Sequence, residues 1–155
     1  MGRFKRPFGS VAEMDEVLVT RWNEIVAPAD EVWHLGDFAV RAKTERVAEL
    51  LGRLHGRKHL ITGNNDGPAT LEAPGWRSIG PYADIEVDGV RLILCHYAFR
   101  TWDAMYKGAY NLHGHSHGLL APMARQVDVG VDVWDFRPID VAQIRSRRPR
   151  RRLVT

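Results

Sequence analysis

Cysteine is nearly absent. Cys95 is the only one in 155 residues, so no internal disulfide can form. That suits a reducing compartment, and the cytoplasm is the expected location. Long apolar runs are missing as well. The longest, Leu92 to Cys95, is strand-sized, far short of the roughly 18 residues a membrane helix needs. The first residues, Met1 to Phe8, carry charge without an apolar core, so no secretory signal and no membrane partner are expected. There is no internal repeat and no linker long enough to divide the chain. With 45% hydrophobic and 26% charged residues, one globular domain over residues 1–145 is expected.

The net charge of +3 is not a property of the whole chain. Arg145, Arg147, Arg148, Arg150, Arg151 and Arg152 crowd its last residues. Setting those six aside leaves 16 basic against 19 acidic residues, a net −3. Residues 146–155 therefore read as a basic, disordered tail. A short arginine run can bind nucleic acid, but nothing in the domain's own charge supports that partner.

Hydrophobic spacing gives the elements. Ser10 and Glu13 have the separation of a capping box, and Val11, Met14, Leu18, Trp22 and Ile25 then recur at helical spacing. This predicts a helix over 11–26 with those residues buried, ended by Pro28. Val32 to Leu35 reads as a strand running into Gly36-Asp37. Thr44 to Leu54 reads as a helix burying Val47, Leu50, Leu51 and Leu54. Lys58 to Thr62 is a strand stopping at Gly63-Asn64-Asn65-Asp66. Asp88-Gly89 between Tyr82–Val87 and Val90–Cys95 is a two-residue hairpin signal. Strands at 109–113 and 126–129 follow, and Asp140 with Gln143 caps a last short helix. Alternation of strand and helix, giving way to strands, predicts a mixed α/β layer structure.

Each polar cluster directly follows an apolar strand. Asp37 stands behind Gly36, Asn64 behind Gly63, His96 ends a strand, and His115 and His117 flank a serine in Gly114-His-Ser-His117. Carboxylate, amide and imidazole donors together suit divalent ions of intermediate hardness, such as manganese, iron, zinc or nickel. Glycine before a donor allows a tight turn and close approach. The order strand–Gly-Asp, strand–Gly-Asn-x-Asp, strand–His, strand–Gly-His-x-His resembles the calcineurin-like metallophosphoesterase superfamily. Its small bacterial branch is the nearest match, through Lys5-Arg-Pro-Phe8, Val32 to Asp37, Leu94 to Tyr97, Leu112 to His117 and Gly130 to Trp134.

The resemblance implies two mixed β-sheets packed as a sandwich with helices outside. It implies that Asp37 bridges two ions, that Asn64, His96 and His115 complete the second ion's site, and that His117 serves the first. Asn64 and Asp66 fall in the catalytic set, and Arg100 offers a bidentate fork to substrate phosphate. The implied chemistry is attack of water, activated between two close ions, on the phosphorus of a phosphomonoester or phosphodiester. Two departures qualify this. The superfamily's opening Asp-x-His strand has no counterpart before Asp37, which suggests a start further upstream and leaves the first ion with Asp37 and His117 alone. Asn65 stands where many relatives carry histidine, and an amide cannot act as a general acid. The alternative is a sandwich that has lost catalysis and serves as a binding scaffold.

Other residues carry plainer expectations. His34 is packed, His55 and His59 are solvated, and His113 either braces His115 or is a buried core histidine. Trp102, Trp134 and Phe136 either line a base-binding groove or pack the core and its rim.

Overall fold

The computed structural model describes residues 5–146. In chain order the elements are α1 (Val11–Ile25), β1 (Glu31–His34), α2 (Thr44–Arg53), β2 (Arg57–Ile61), α3 (Pro68–Leu71), β3 (Trp76–Gly80), β4 (Tyr82–Val87), β5 (Val90–Cys95), β6 (Tyr110–His113), β7 (Gln126–Asp128) and α4 (Val141–Ser146). Short 3-10 turns fall at Met105–Lys107 and Val131–Val133. Ser146 belongs to α4, and the expected arginine tail beyond it lies outside the described residues.

The strands form two sheets. β1, β2 and β3 lie side by side, parallel throughout, joined by crossovers that carry α2 and α3. The second sheet runs β4-β5-β6-β7 and is mixed: β4 and β5 form an antiparallel hairpin, while β5, β6 and β7 are parallel. Only one of the two sheets is therefore mixed, where both were expected to be. The hairpin turns at Asp88 (φ 51°) and Gly89 (φ 76°), both left-handed, which matches the right-handed twist of the flanking strands.

The core lies between the sheets. Leu35 and Ile61 from the first sheet share one buried cluster with Leu92, Leu94, Leu112, Val127 and Ile144. Ile93 points the other way, into a second cluster with Trp102 and Ala109. β5 is thus covered on both faces, which explains its unbroken apolar run. On the far side of the first sheet, Val47 and Leu51 of α2 pack with Ala73, Phe38 and Trp76.

α1 is capped at Ser10, with the return bond of the expected box going to Gly9 N rather than to Ser10 N. Ser10 Oγ accepts from Glu13 N at 3.1 Å, and the Glu13 carboxylate reaches back to accept from Gly9 N at 2.7 Å. Its buried side is narrower than expected: Val19 joins Leu50 and Leu54, with Trp22 alongside, while Val11 is 70% and Ile25 45% exposed. The helix meets α2 through its middle, and the apolar residues of its first and last turns project past the contact.

Candidate metal centre

Parallel strands deliver the donors. Asp37 follows β1, Asn64 follows β2, His96 follows β5 and His115 follows β6, so all four sit beyond strand carboxyl ends and span both sheets. Gly36 and Gly63 let the first two loops touch. A Cβ on Gly36, whose φ is 98°, would stand 2.6 Å from both Gly63 N and His96 Nδ1. A Cβ on Gly63 would stand 2.7 Å from Asp37 N and 2.9 Å from His96 Cε1. Asp37 (φ 57°), His115 (φ 61°) and His117 (φ 47°) are themselves left-handed, a conformation that costs a non-glycine residue about 1 kcal/mol or more and is concentrated at functional sites.

Asp66 ties the loops together. Its two carboxylate oxygens accept from Asp37 N (2.8 Å), Phe38 N (2.9 Å) and Gly63 N (2.8 Å). These three bonds hold the Asp37 and Gly63 loops against each other. Asn65 is likewise committed. Its backbone N–H donates to Asp37 Oδ1 at 2.8 Å and its side-chain amide to Oδ2 at 2.9 Å, fixing the carboxylate's orientation.

The donor atoms of Asp37, His96 and His115 lie within 4.8 Å of one another. His96 Nε2 is 2.9 Å from Asn64 Oδ1, 3.2 Å from His115 Nδ1 and 3.5 Å from Asp37 Oδ2. Asn64 Oδ1 is 3.0 Å from His115 Nδ1. His96 is buried, and its Nδ1 donates to the Leu35 carbonyl at 2.7 Å. A carbonyl only accepts, so in the neutral ring Nε2 carries the lone pair. That lone pair faces an amide oxygen, a second imidazole and a carboxylate, all of them groups that can ligate a cation. Cis ligands on an ion with bonds of ~2.1 Å are separated by about 3.0 Å. The observed spacings are of that size, so the residues present fit a divalent ion in both chemistry and scale. His96 forms the floor, while Asn64 and His115 are exposed at the mouth.

His117 stands outside this cluster. Its Nδ1 lies 2.8 Å from Asp132 Oδ2, and Arg6 clamps the same carboxylate. Burial raises the affinity of Asp132 for a proton, but the bonds and charges of Arg6 and His117 outweigh it and lower its pKa. Arg100 is exposed on the loop after β5 and has no hydrogen-bond or ionic partner among the described residues. Tyr97, for which the sequence suggested no role, sets its ring edge-on to His115 (4.9 Å) and His96 (5.0 Å). A surface cleft of about 510 Å³ is lined by Arg91, Lys107, Arg125 and Arg145 among others and includes none of the donors.

Several secondary expectations are corrected or settled here. His113 is buried and its Nδ1 donates to the Gly114 carbonyl, bracing the turn rather than the His115 ring. His59 is not solvated: it stacks on Trp33 at 4.3 Å and bonds Ser78 and Glu31, because neighbouring strands place all four on one sheet face. His55 is exposed. Trp102 is core, Trp134 borders the inter-sheet core, and Phe136 packs edge-on to Phe8 at 5.0 Å. None of these three is arranged as a base-binding groove.

Two sheets in a sandwich, with carboxylate, amide and imidazole donors gathered at strand ends, define a two-layer α/β protein with a candidate divalent-cation site. The chain belongs to the calcineurin-like phosphoesterase superfamily, whose domain matches residues 15–134. Members of this family generally bind divalent metals. An uncharacterised protein of Methanocaldococcus jannaschii is 28% identical over 144 residues, covering 88% of this chain and 76% of its own. The gene 66 protein of Mycobacterium phage D29 is 31% identical over 156 residues, covering 79% and 78%. A crystal structure of a protein of unknown function from Aquifex aeolicus superposes with a TM-score of 0.70 at 24% identity, covering 90% of this chain and 87% of that one, a likeness of fold. No helix among the described residues is long and apolar enough to cross a membrane.

Proposed function

We propose that this chain hydrolyses a phosphomonoester or phosphodiester with the help of a divalent ion, manganese being the first choice, held by Asp37, Asn64, His96 and His115. The convergence of these donors at coordination-shell spacing carries the reading. A bound divalent ion supplies Lewis acidity toward a phosphoryl oxygen and acidifies water. The protein supplies the rest. Asn65 and Asp66 hold the Asp37 loop, His96 is locked through Leu35, and the open mouth admits substrate. His117 serves a further ion position, and Arg100 meets the substrate phosphate. Asn65 cannot protonate a leaving group, and its amide is already spent on Asp37. Esters with good leaving groups are therefore the preferred substrates.

The test is release of p-nitrophenolate from bis(p-nitrophenyl) phosphate with manganese. Slow, metal-dependent turnover is expected. It is abolished by chelator and by Asp37→Ala or His115→Ala, and untouched by His55→Ala. A chain that binds manganese but cleaves neither this diester nor the corresponding monoester would be a binding scaffold instead.

A further inference from the structure

One feature near the site is not explained by the four donors. The turn carrying His117 is held by two carboxylates from β7 and the segment after it. Asp128 accepts from Gly118 N at 2.8 Å and from Gly130 N at 2.9 Å. Asp132, on the 3-10 turn Val131–Val133, meets His117 Nδ1 at 2.8 Å through Oδ2. Arg6 grips the same carboxylate with two prongs, Nε to Oδ1 at 2.8 Å and Nη2 to Oδ2 at 3.1 Å. All three side chains are largely covered, with exposures of 29% for Arg6, 20% for Asp132 and 32% for His117. Phe8 against Phe136 holds the Arg6 segment on the same turn. A fork on a carboxylate on an imidazole is a directional chain: the guanidinium fixes the carboxylate plane, and the carboxylate fixes the ring.

We infer that Asp132, oriented by Arg6, is a positioning residue that holds His117 in the Nδ1-protonated tautomer. This presents Nε2 as a ligand for a second, weaker divalent-ion position beside the Asp37 cluster. The inference rests on the function proposed above. His117 is not one of the three mutually close donors Asp37, His96 and His115. A histidine ligand whose far nitrogen is bonded to a carboxylate is the more basic for it, and loss of such a partner lowers metal affinity by roughly 10- to 100-fold.

The competing account is that Arg6–Asp132 merely pins two surface segments. Arg21 provides the comparison. It makes a similar long-range tie, to the Asp135 carbonyl at 2.7 Å and carboxylate at 3.1 Å, without touching His117. Asp132→Asn, Arg21→Ala, His117→Ala and the His117→Ala/Asp132→Asn pair would be compared by manganese calorimetry. Long-range ¹H–¹⁵N NMR of the His117 ring would be recorded without metal, and thermal melting throughout. Asp132→Asn is expected to weaken the second, weaker equivalent at least about tenfold while sparing the first. It also shifts the His117 ring away from the Nδ1–H form. Arg21→Ala does neither, and the double variant binds no worse than His117→Ala.

The inference is overturned by any of three results: no second equivalent in the parent chain, an unchanged tautomer and affinity in Asp132→Asn, or equal effects of Asp132→Asn and Arg21→Ala. Loss of the first equivalent from the parent chain would instead sink the proposed function, and the tautomer measurement would still report on Asp132.

Discussion

At the scale of single residues, the site depends on what glycine leaves out and what Asp66 ties down. Gly63 shows the first point. A methyl group there collides with Asp37 N and the His96 ring, neither of which can retreat without moving a donor. Gly52, inside α2, has nothing within 4 Å of the same addition. Gly63→Ala should therefore cost about 1–3 kcal/mol and weaken manganese binding. Gly52→Ala should stabilise by about 0.5–1 kcal/mol and leave binding alone. Urea melts with parallel metal titrations check both, and a harmless Gly63→Ala would mean that the two loops are not held as close as described.

His34 is the second residue with a consequence of its own. Its ring packs edge-on to Phe38 at 5.2 Å, its Nδ1 accepts from Gly36 N, and burial pushes its pKa down to about 4. In the unfolded chain the ring takes a proton near the ordinary 6.5. Between those values the unfolded state binds a proton that the folded state refuses. Stability contributed by the neutral ring is thus complete above about pH 6.5 and is lost as pH falls toward 4. The whole loss is on the order of 3 kcal/mol. His34→Gln, which keeps an acceptor for Gly36 but does not titrate, should flatten the dependence between pH 7 and 5. Parallel slopes in the two proteins would contradict the assignment.

At the scale of elements, the strands present the chemistry, and the sequence declared them unevenly. The β4–β5 hairpin was legible to the residue, since Asp88-Gly89 is a two-residue turn signal between two strand-like runs. β3 was not legible: Trp76–Gly80 lies between Gly75 and Pro81, is mostly exposed, and earns its strand only by pairing with β2. The ends of α1 misled for a related reason, because spacing shows which face is apolar but not how far a partner helix reaches along it. β1 carries a further implication. It pairs with β2 on one side, and no strand pairs with its other side among the described residues. Supplying a strand that ends in Asp-x-His ahead of residue 1 should fill that position and add ligands to the weaker ion position served by His117. Turnover of bis(p-nitrophenyl) phosphate should then rise at least about tenfold, a change of only ~1.4 kcal/mol in barrier. Equal turnover with and without the strand would indicate that one ion suffices.

At the scale of the whole molecule, two sheets meet so that the ends of β1 and β2 face those of β5 and β6. The tight site exists only when the sandwich is assembled, as the bond from His96 to the Leu35 carbonyl across the sheets makes plain. The four donors could be read in sequence because each is announced by a strand and, for three of them, a glycine. The groups that aim them could not. Asp66 was singled out by its Gly-Asn-x-Asp motif, but its bonds to the backbone N–H groups of Asp37, Phe38 and Gly63 were not, and Arg6 reaches Asp132 across 126 residues. Above all, Asp37, Asn64, His96 and His115 are expected to hold one divalent ion together. The most direct measurement is anomalous diffraction at the manganese edge from crystals grown with the ion. One strong peak within about 2.0–2.4 Å of all four donors is expected. A strong peak elsewhere with this cluster empty, or a peak that survives His96→Ala unchanged, would contradict it.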